Sequence, residues 1–196
     1  MKKYLKTLMI ACLVVPVMVV AVACGGHALE GKYGFHSYEI YGVSFDAGDF
    51  VIEEKEGAYE GLGEVGGGKY KVATEMKQSG KNKVKNLVDN KLPADMKAEL
   101  GENPEEAVTS QIIIMISLFV NFNAELKDGK ISGQMIGEGS ESISYTQNGS
   151  KVAFVTDAGT EDEEVVELHW DKKKGTLTTT FEDGGDVPQK LVFKRK

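Results

Sequence analysis

The sequence predicts a mainly β fold: an antiparallel up-and-down meander closing into a barrel, with a short two-helix insertion around residues 93–117. Three observations carry that expectation. Apolar and polar residues alternate with period two in many short runs, the pattern of half-buried strands. Turn signals such as Asp128-Gly129 and Asn148-Gly149 sit between these runs. Glycine, 23 residues in all and every one beyond position 24, punctuates them at about twice the usual frequency. About ten short strands joined by tight turns favour a meander over βαβ units. Closing the sheet removes edges that would otherwise promote aggregation.

The chain of 196 residues begins with an address. Lys2, Lys3 and Lys6 precede the uncharged stretch Leu8–Ala23, the layout of a secretory signal. That stretch is shorter than the roughly 20 residues of a spanning helix and contains Pro16. It ends on Ala21-Val22-Ala23-Cys24-Gly25, which resembles the lipobox of bacterial lipoproteins, with Ala21 where Leu is usual. The resemblance implies cleavage before Cys24, a diacylglyceryl group on its thiol and often a further acyl chain on the new N-terminus. Two or more acyl chains make a stable membrane anchor. Residues 24–34 are then the lipidated Cys and a flexible tether, and residues 35–196 a single β-rich domain. Ten flexible residues span on the order of 17 Å, so the domain stays close to its membrane. Gly25 rather than Asp follows Cys24. The same resemblance then implies the outer membrane, or the outer face of the cytoplasmic membrane in a host with only one. Cys12 leaves with the signal, so no disulfide is expected, although the compartment permits one.

Within the domain, Asp46-Ala47-Gly48 and Glu56-Gly57 mark early turns. Pro93–Leu100 followed by Gly101 reads as a two-turn helix, Pro at the start and Gly past the end. Asn103-Pro104-Glu105-Glu106 starts a second helix: Asn caps, Pro suits the first turn, and the acids suit the positive end of the dipole. It is expected to reach Met115 or Ser117. The apolar run Ile112–Val120 is too short to cross a bilayer and reads as the helix end passing into a strand. In that strand Leu118, Val120, Phe122, Ala124 and Leu126 are apolar, with polar Asn121, Asn123 and Glu125 between them. Three hairpins follow. Asp128-Gly129 leads into a run from Ile131, and Asn148-Gly149 joins Ile143–Gln147 to Val152–Thr156. Asp171–Gly175 joins Val165–Trp170 to Thr176–Phe181. The chain ends on Lys190–Arg195, with Leu191 and Phe193 on one face.

Gly31-Lys32-Tyr33 echoes the G-x-W element of lipocalins, with Tyr33 in the place of Trp. Together with the hairpins and the terminal Leu191-Val192-Phe193-Lys194-Arg195, the chain is similar to small lipocalin-like (calycin) lipoproteins of bacteria. The resemblance covers most of the mature chain as a pattern and implies a small apolar ligand held inside the barrel. Inward-facing candidates to line that site are Tyr38, Tyr41, Phe45, Phe50, Phe122, Phe154, Trp170 and Phe181. The same residues fill the core if no ligand is held.

Several chemistries find little support. With 23 basic against 30 acidic residues, the formal charge of −7 argues against a nucleic-acid partner and against peripheral docking on anionic lipid. Gly61–Gly66 fits G-x-G-x-x-G, and Gly63–Lys69 fits G-x-x-x-x-G-K. No helix follows, and Tyr70 stands where a phosphate loop needs Ser or Thr, so a Gly-rich turn accounts for both. Glu161–Glu164, Asp46 with Asp49, and Asp183 with Asp186 lack the spacing of a calcium loop and read as solvated turns. His27, His36 and His169 form no zinc-binding pair, and no serine nucleophile motif occurs. Asn148-Gly149-Ser150 fits a glycosylation sequon and reads as a turn. No cofactor, metal or enzymatic activity is expected, although two carboxylates distant in sequence can still pair in space. Two readings stand. One is a binding module for a small apolar ligand or lipid. The other is a cell-envelope or surface interaction protein with a filled core, meeting a protein or glycan partner through its acidic face and the Ile112–Val120 segment.

Overall fold

The computed structural model describes residues 28–57, 68–133, 142–156, 158–159, 161, 163–182 and 188–196. Eleven strands and three α-helices lie among them, in the order β1 (Gly31–Ile40), β2 (Val43–Asp46), a 3₁₀ turn (Ala47–Asp49), β3 (Phe50–Glu56), β4 (Lys69–Met76), α1 (Gln78–Asn90), α2 (Ala94–Glu99) and α3 (Pro104–Phe119). Then come β5 (Asn123–Lys127), β6 (Lys130–Ser132), β7 (Ile143–Asn148), β8 (Lys151–Thr156), β9 (Glu164–Asp171), β10 (Thr176–Glu182) and β11 (Pro188–Arg195).

Eight antiparallel strands form a closed up-and-down barrel in the order β1-β5-β6-β7-β8-β9-β10-β11, with β11 returning to β1. The expected fold class is met. One inward face runs round the whole circuit, because directly paired residues share a face. Tyr33 faces Ala124, Leu126 faces Ile131, and Tyr145 faces Phe154. Val152 faces Leu168, Leu177 faces both Trp170 and Phe193, and Leu191 faces Tyr38. All of these except half-buried Tyr145 are buried, and they pack as one core with residues from the helices.

β1 is long enough to serve three partners. Its first half, Gly31–Gly34, pairs with β5, and its second half, Ser37–Ile40, pairs with β2, while β11 runs along its other edge. A bulge at His36 shifts the register against β11 and turns the strand. The strand begins at Gly31 and buries Tyr33 completely, so the tether expected over 24–34 gives way to the domain four residues sooner. Tyr33, from the G-x-Y element, lies opposite Arg195 of the terminal strand.

The turn chemistry is mostly as read. Asp128 and Gly129 both have positive φ between the paired residues Lys127 and Lys130, a type I′ arrangement. The next hairpin is shifted by one: Asn148 pairs with Lys151, so the turn is Gly149-Ser150, with only Gly149 at positive φ. Tyr41-Gly42 makes a tight turn that the sequence reading omitted. Asp46-Ala47-Gly48 is the start of the 3₁₀ turn, held by a capping box between Asp46 and Asp49.

The helical insertion is larger than expected. α2 and α3 match the two helices, but α1 precedes them, burying Val84, Leu87 and Val88. α3 continues to Phe119, so the alternating run from Leu118 is helix and turn before it becomes strand at Asn123. The β3–β4 hairpin is a separate two-stranded sheet. α3 and the turn after it cover the free edge of β4 with side chains: Ser117 Oγ accepts the Ala73 N–H at 3.0 Å, and Asn121 accepts the Lys71 N–H at 2.7 Å. Asn121 also donates to the Lys71 carbonyl at 2.8 Å, mimicking a neighbouring strand.

Candidate functional site

The three helices sit over the end of the barrel where β1 turns into β2. Pro104 at the first turn of α3 and Glu105 and Glu106 behind it define that helix, which buries Val108, Ile112 and Ile116 toward the core. α1 reaches the same core through Leu87. Where the helices meet the barrel rim they leave an apolar crevice with a volume of about 520 Å³. The rim supplies Tyr38, Ile40, Tyr41 and Gln189. Leu87 and Leu92 come from α1 and its exit, Met96, Glu99 and Leu100 from α2 and its end. Val108, Gln111, Ile112, Ile114 and Met115 come from α3.

Polar groups are few and placed at the edges. Tyr38 donates its hydroxyl to Gln189 Oε1 at 2.6 Å, bridging the β1–β11 seam from inside. The Lys190–Glu39 ion pair, at 2.9 Å, bridges the same seam. Tyr41 sits at the tip of the β1–β2 turn with φ +52°, and its hydroxyl meets the Met96 sulfur of α2. Burial and then the nearby Asp95 carboxylate raise the Tyr41 pKa. Ile114, 56% exposed, and Met96, 37% exposed, stand at the crevice as its apolar lip.

Asp49 holds the helices in place. Its carboxylate is buried and meets Lys83 Nζ of α1 at 2.5 Å and the Asp46 N–H at 3.1 Å. Burial alone raises its pKa, but hydrogen bonds from Lys83, the Asp46 backbone and Ser79 outweigh that and hold it below the usual carboxylate value. The Asp49 carbonyl also accepts the Lys77 N–H at the start of α1, at 2.8 Å.

The eight aromatic residues expected to line one interior separate into groups. Tyr38 and Tyr41 line the crevice. Phe122 and Phe181 join Phe119 of α3, whose ring centroid lies 5.3 Å from Phe122, 6.1 Å from Phe181 and 6.3 Å from Tyr38. Phe119 thus plugs the barrel end beside the crevice, a role the sequence reading did not assign. Phe45 and Phe50 are buried core residues, with Lys83 Nζ 6.0 Å from the centre of the Phe45 ring. Phe154 and Trp170 lie inside the barrel, where Trp170 packs edge-on against Tyr33 at 5.9 Å. Of the eight, only Tyr38 and Tyr41 line the rim crevice.

The remaining candidates fall elsewhere. His36 and His169 are exposed strand residues; His169 lines a shallow surface depression with Lys151, Glu167 and Thr178. Cys24, the lipobox, His27 and the Gly61–Gly66 motif lie outside the described residues, as do Asp162, Asp183 and Asp186. Lys69, at the end of the second glycine motif, begins β4 rather than a helix. Among the described residues no group of three His, Cys, Asp or Glu side chains is close enough to hold a metal ion. No described helix is long and apolar enough to cross a membrane. Compared with known proteins, the chain matches no family model, no curated protein and no solved structure.

Proposed function

We propose that the chain is a lipid-anchored binding module of the cell envelope that holds a small apolar molecule or lipid at the barrel rim. The observation that carries the reading is the crevice itself. Its volume of about 520 Å³ and its apolar walls with a few convergent polar groups are typical of small-molecule sites. The Tyr38–Gln189 pair offers a hydroxyl and an amide to one polar group on an otherwise apolar ligand. The anchor rests on the Cys24 lipobox resemblance. The proposed action is binding without catalysis: among the described residues no nucleophile and base converge on the crevice.

The alternative, an envelope protein that meets a protein or glycan through its apolar helix, draws on Ile114 and Met96. It is the weaker reading, because Ile112 and Ile116 point into the core and leave a small exposed patch. The test is native mass spectrometry of the chain from Gly25 to Lys196, followed by solvent extraction. A reproducible adduct released by extraction, and lost in Leu100→Trp while melting is retained, supports the rim site. A clean apo mass with no thermal shift across fatty acids and phospholipids overturns it.

A further inference from the structure

In an up-and-down barrel every second connection returns to the same end. Here Asp128-Gly129, Gly149-Ser150 and the loop 172–175 share the end opposite the crevice. The residues just before β1 and the end of β11 join them. The Asp128 N–H donates to Glu30 at 3.1 Å, the Arg195 N–H to the Gly175 carbonyl at 3.0 Å, and the Arg195 guanidinium to the Ala28 carbonyl at 2.9 Å. Lys127 and Lys130 flank the first turn, Lys172–Lys174 lie in the loop, Arg195 ends β11 and Lys196 follows it. Among the described residues, the acids nearest these turns are Glu30, Asp128 and Asp171, while Glu125 and Glu167, farther along their strands, pair with Lys32 and Lys151. Asp171 is occupied by the N–H groups of Lys173 and Lys174, at 2.9 and 3.0 Å. Among the described residues, no carboxylate pairs with Lys127, Lys130, Lys172, Lys173 or Lys196. The α1 lysines differ: Lys81, Lys83 and Lys85 each pair with an acid. Positive charge is therefore gathered at one end of a chain whose formal charge is −7.

We propose that this basic end docks on an anionic lipid bilayer and seats the barrel end-on, with the crevice turned away from the membrane. The net charge argues against docking by the molecule as a whole. At distances beyond a Debye length of about 8 Å, however, the far acidic surface is screened and the nearest charges decide. Proximity follows from the chain: Ala28 lies four residues beyond Cys24, a reach of at most ~14 Å. That proximity rests on the lipid-anchor reading; the segregation of charge does not.

The test is co-sedimentation of the chain from Gly25 to Lys196 with vesicles. This chain cannot be acylated and keeps every element described above, including the closed barrel. Phosphatidylcholine vesicles are compared with equal mixtures of phosphatidylcholine and phosphatidylglycerol. Binding to the mixture at low salt is expected, weaker by about tenfold or more for phosphatidylcholine alone and abolished by high salt. Lys130→Glu with Lys173→Glu should lower it by about tenfold or more. Lys91→Glu with Lys97→Glu, the same charge change on the helices, should leave it unaltered. Circular dichroism melts establish that both double variants fold. Equal binding by the two variants, or no preference for phosphatidylglycerol, overturns the proposal. Binding to heparin with none to the mixed vesicles overturns it in favour of an anionic glycan. Crevice occupancy is not read in this assay, so failure of the ligand-binding reading and failure of docking give separate results.

Discussion

Replacing Asp49 is the sharpest probe of what holds the helices on the barrel. Its side chain is 5% exposed, while its partner Lys83 is 34% exposed, so the pair lies between a surface ion pair and a buried one. Asp49→Ala removes the acceptor for Lys83, for the Asp46 N–H and for Ser79. Each hydrogen bond to a charged group is worth about 1.5–3 kcal/mol, discounted because Lys83 regains water and keeps Asp46 at 3.8 Å. A loss of roughly 2–3 kcal/mol is expected in urea unfolding, with a coupling of ~1–2 kcal/mol in the cycle with Lys83→Ala. The pH dependence gives an independent check. The folded pKa of Asp49 is depressed, so its contribution is fully present above the unfolded value of about 3.9 and is lost as pH falls through that value toward the folded one. The gap between wild type and Asp49→Asn should therefore be constant near neutrality and close progressively below about pH 5. A gap that persists unchanged at pH 3, or a stability loss no larger than that of Glu54→Ala at the exposed Lys69–Glu54 pair, would refute the reasoning.

Two further substitutions test other parts of the fold. Tyr33→Phe removes the hydroxyl donated to the Leu29 carbonyl and should cost ~1 kcal/mol in urea unfolding. Burial, against a lowering by Arg195 and with a smaller rise from Tyr145, pushes the Tyr33 pKa to about 12. Its share of stability is thus present below the unfolded value of about 10 and lost as pH rises through the folded one, so the variant should flatten alkaline unfolding monitored by circular dichroism. Gly80→Ala, inside α1, should destabilise by about 1–2 kcal/mol in urea unfolding despite the helix preference for Ala, because its Cβ would meet Met76 Cγ at 2.5 Å and the Asp49 carbonyl at 3.1 Å. A gain in stability would show that the contact relaxes freely.

Most of the barrel was readable because hairpins are local. Asp128-Gly129 marks its turn through the φ each residue tolerates, and the flanking alternation fixes which face is buried. α1 was not readable for a physical reason. Its N-cap is Lys77, whose side chain makes no capping bond, and it shows one narrow apolar stripe, Val84, Leu87 and Val88, among lysines. The Leu118–Leu126 run misled because alternation and the tail of a helix buried on several sides look alike over a few residues. The crevice could not be read at all. Leu87 of α1, Leu100 just past α2 and Ile112 of α3 meet Tyr38 only through the fold. The gathering of lysines was half visible: once the meander is assumed, every second turn must share an end, and the lysine-bearing connections are those turns.

The seam between β1 and β11 sets when this molecule can finish folding. Tyr38 and Gln189, joined by a hydrogen bond, are 151 positions apart. Contacts so distant in sequence form slowly and late. At a synthesis rate of about 5–20 residues per second, β1 waits roughly 8–30 seconds before β11 exists. Throughout that interval the sheet has two open edges and no enclosed interior. Until β11 pairs with β1, those edges stay open to pairing with another chain. A chain cut just before Pro188 would lack β11, which would leave the whole sheet permanently unsealed.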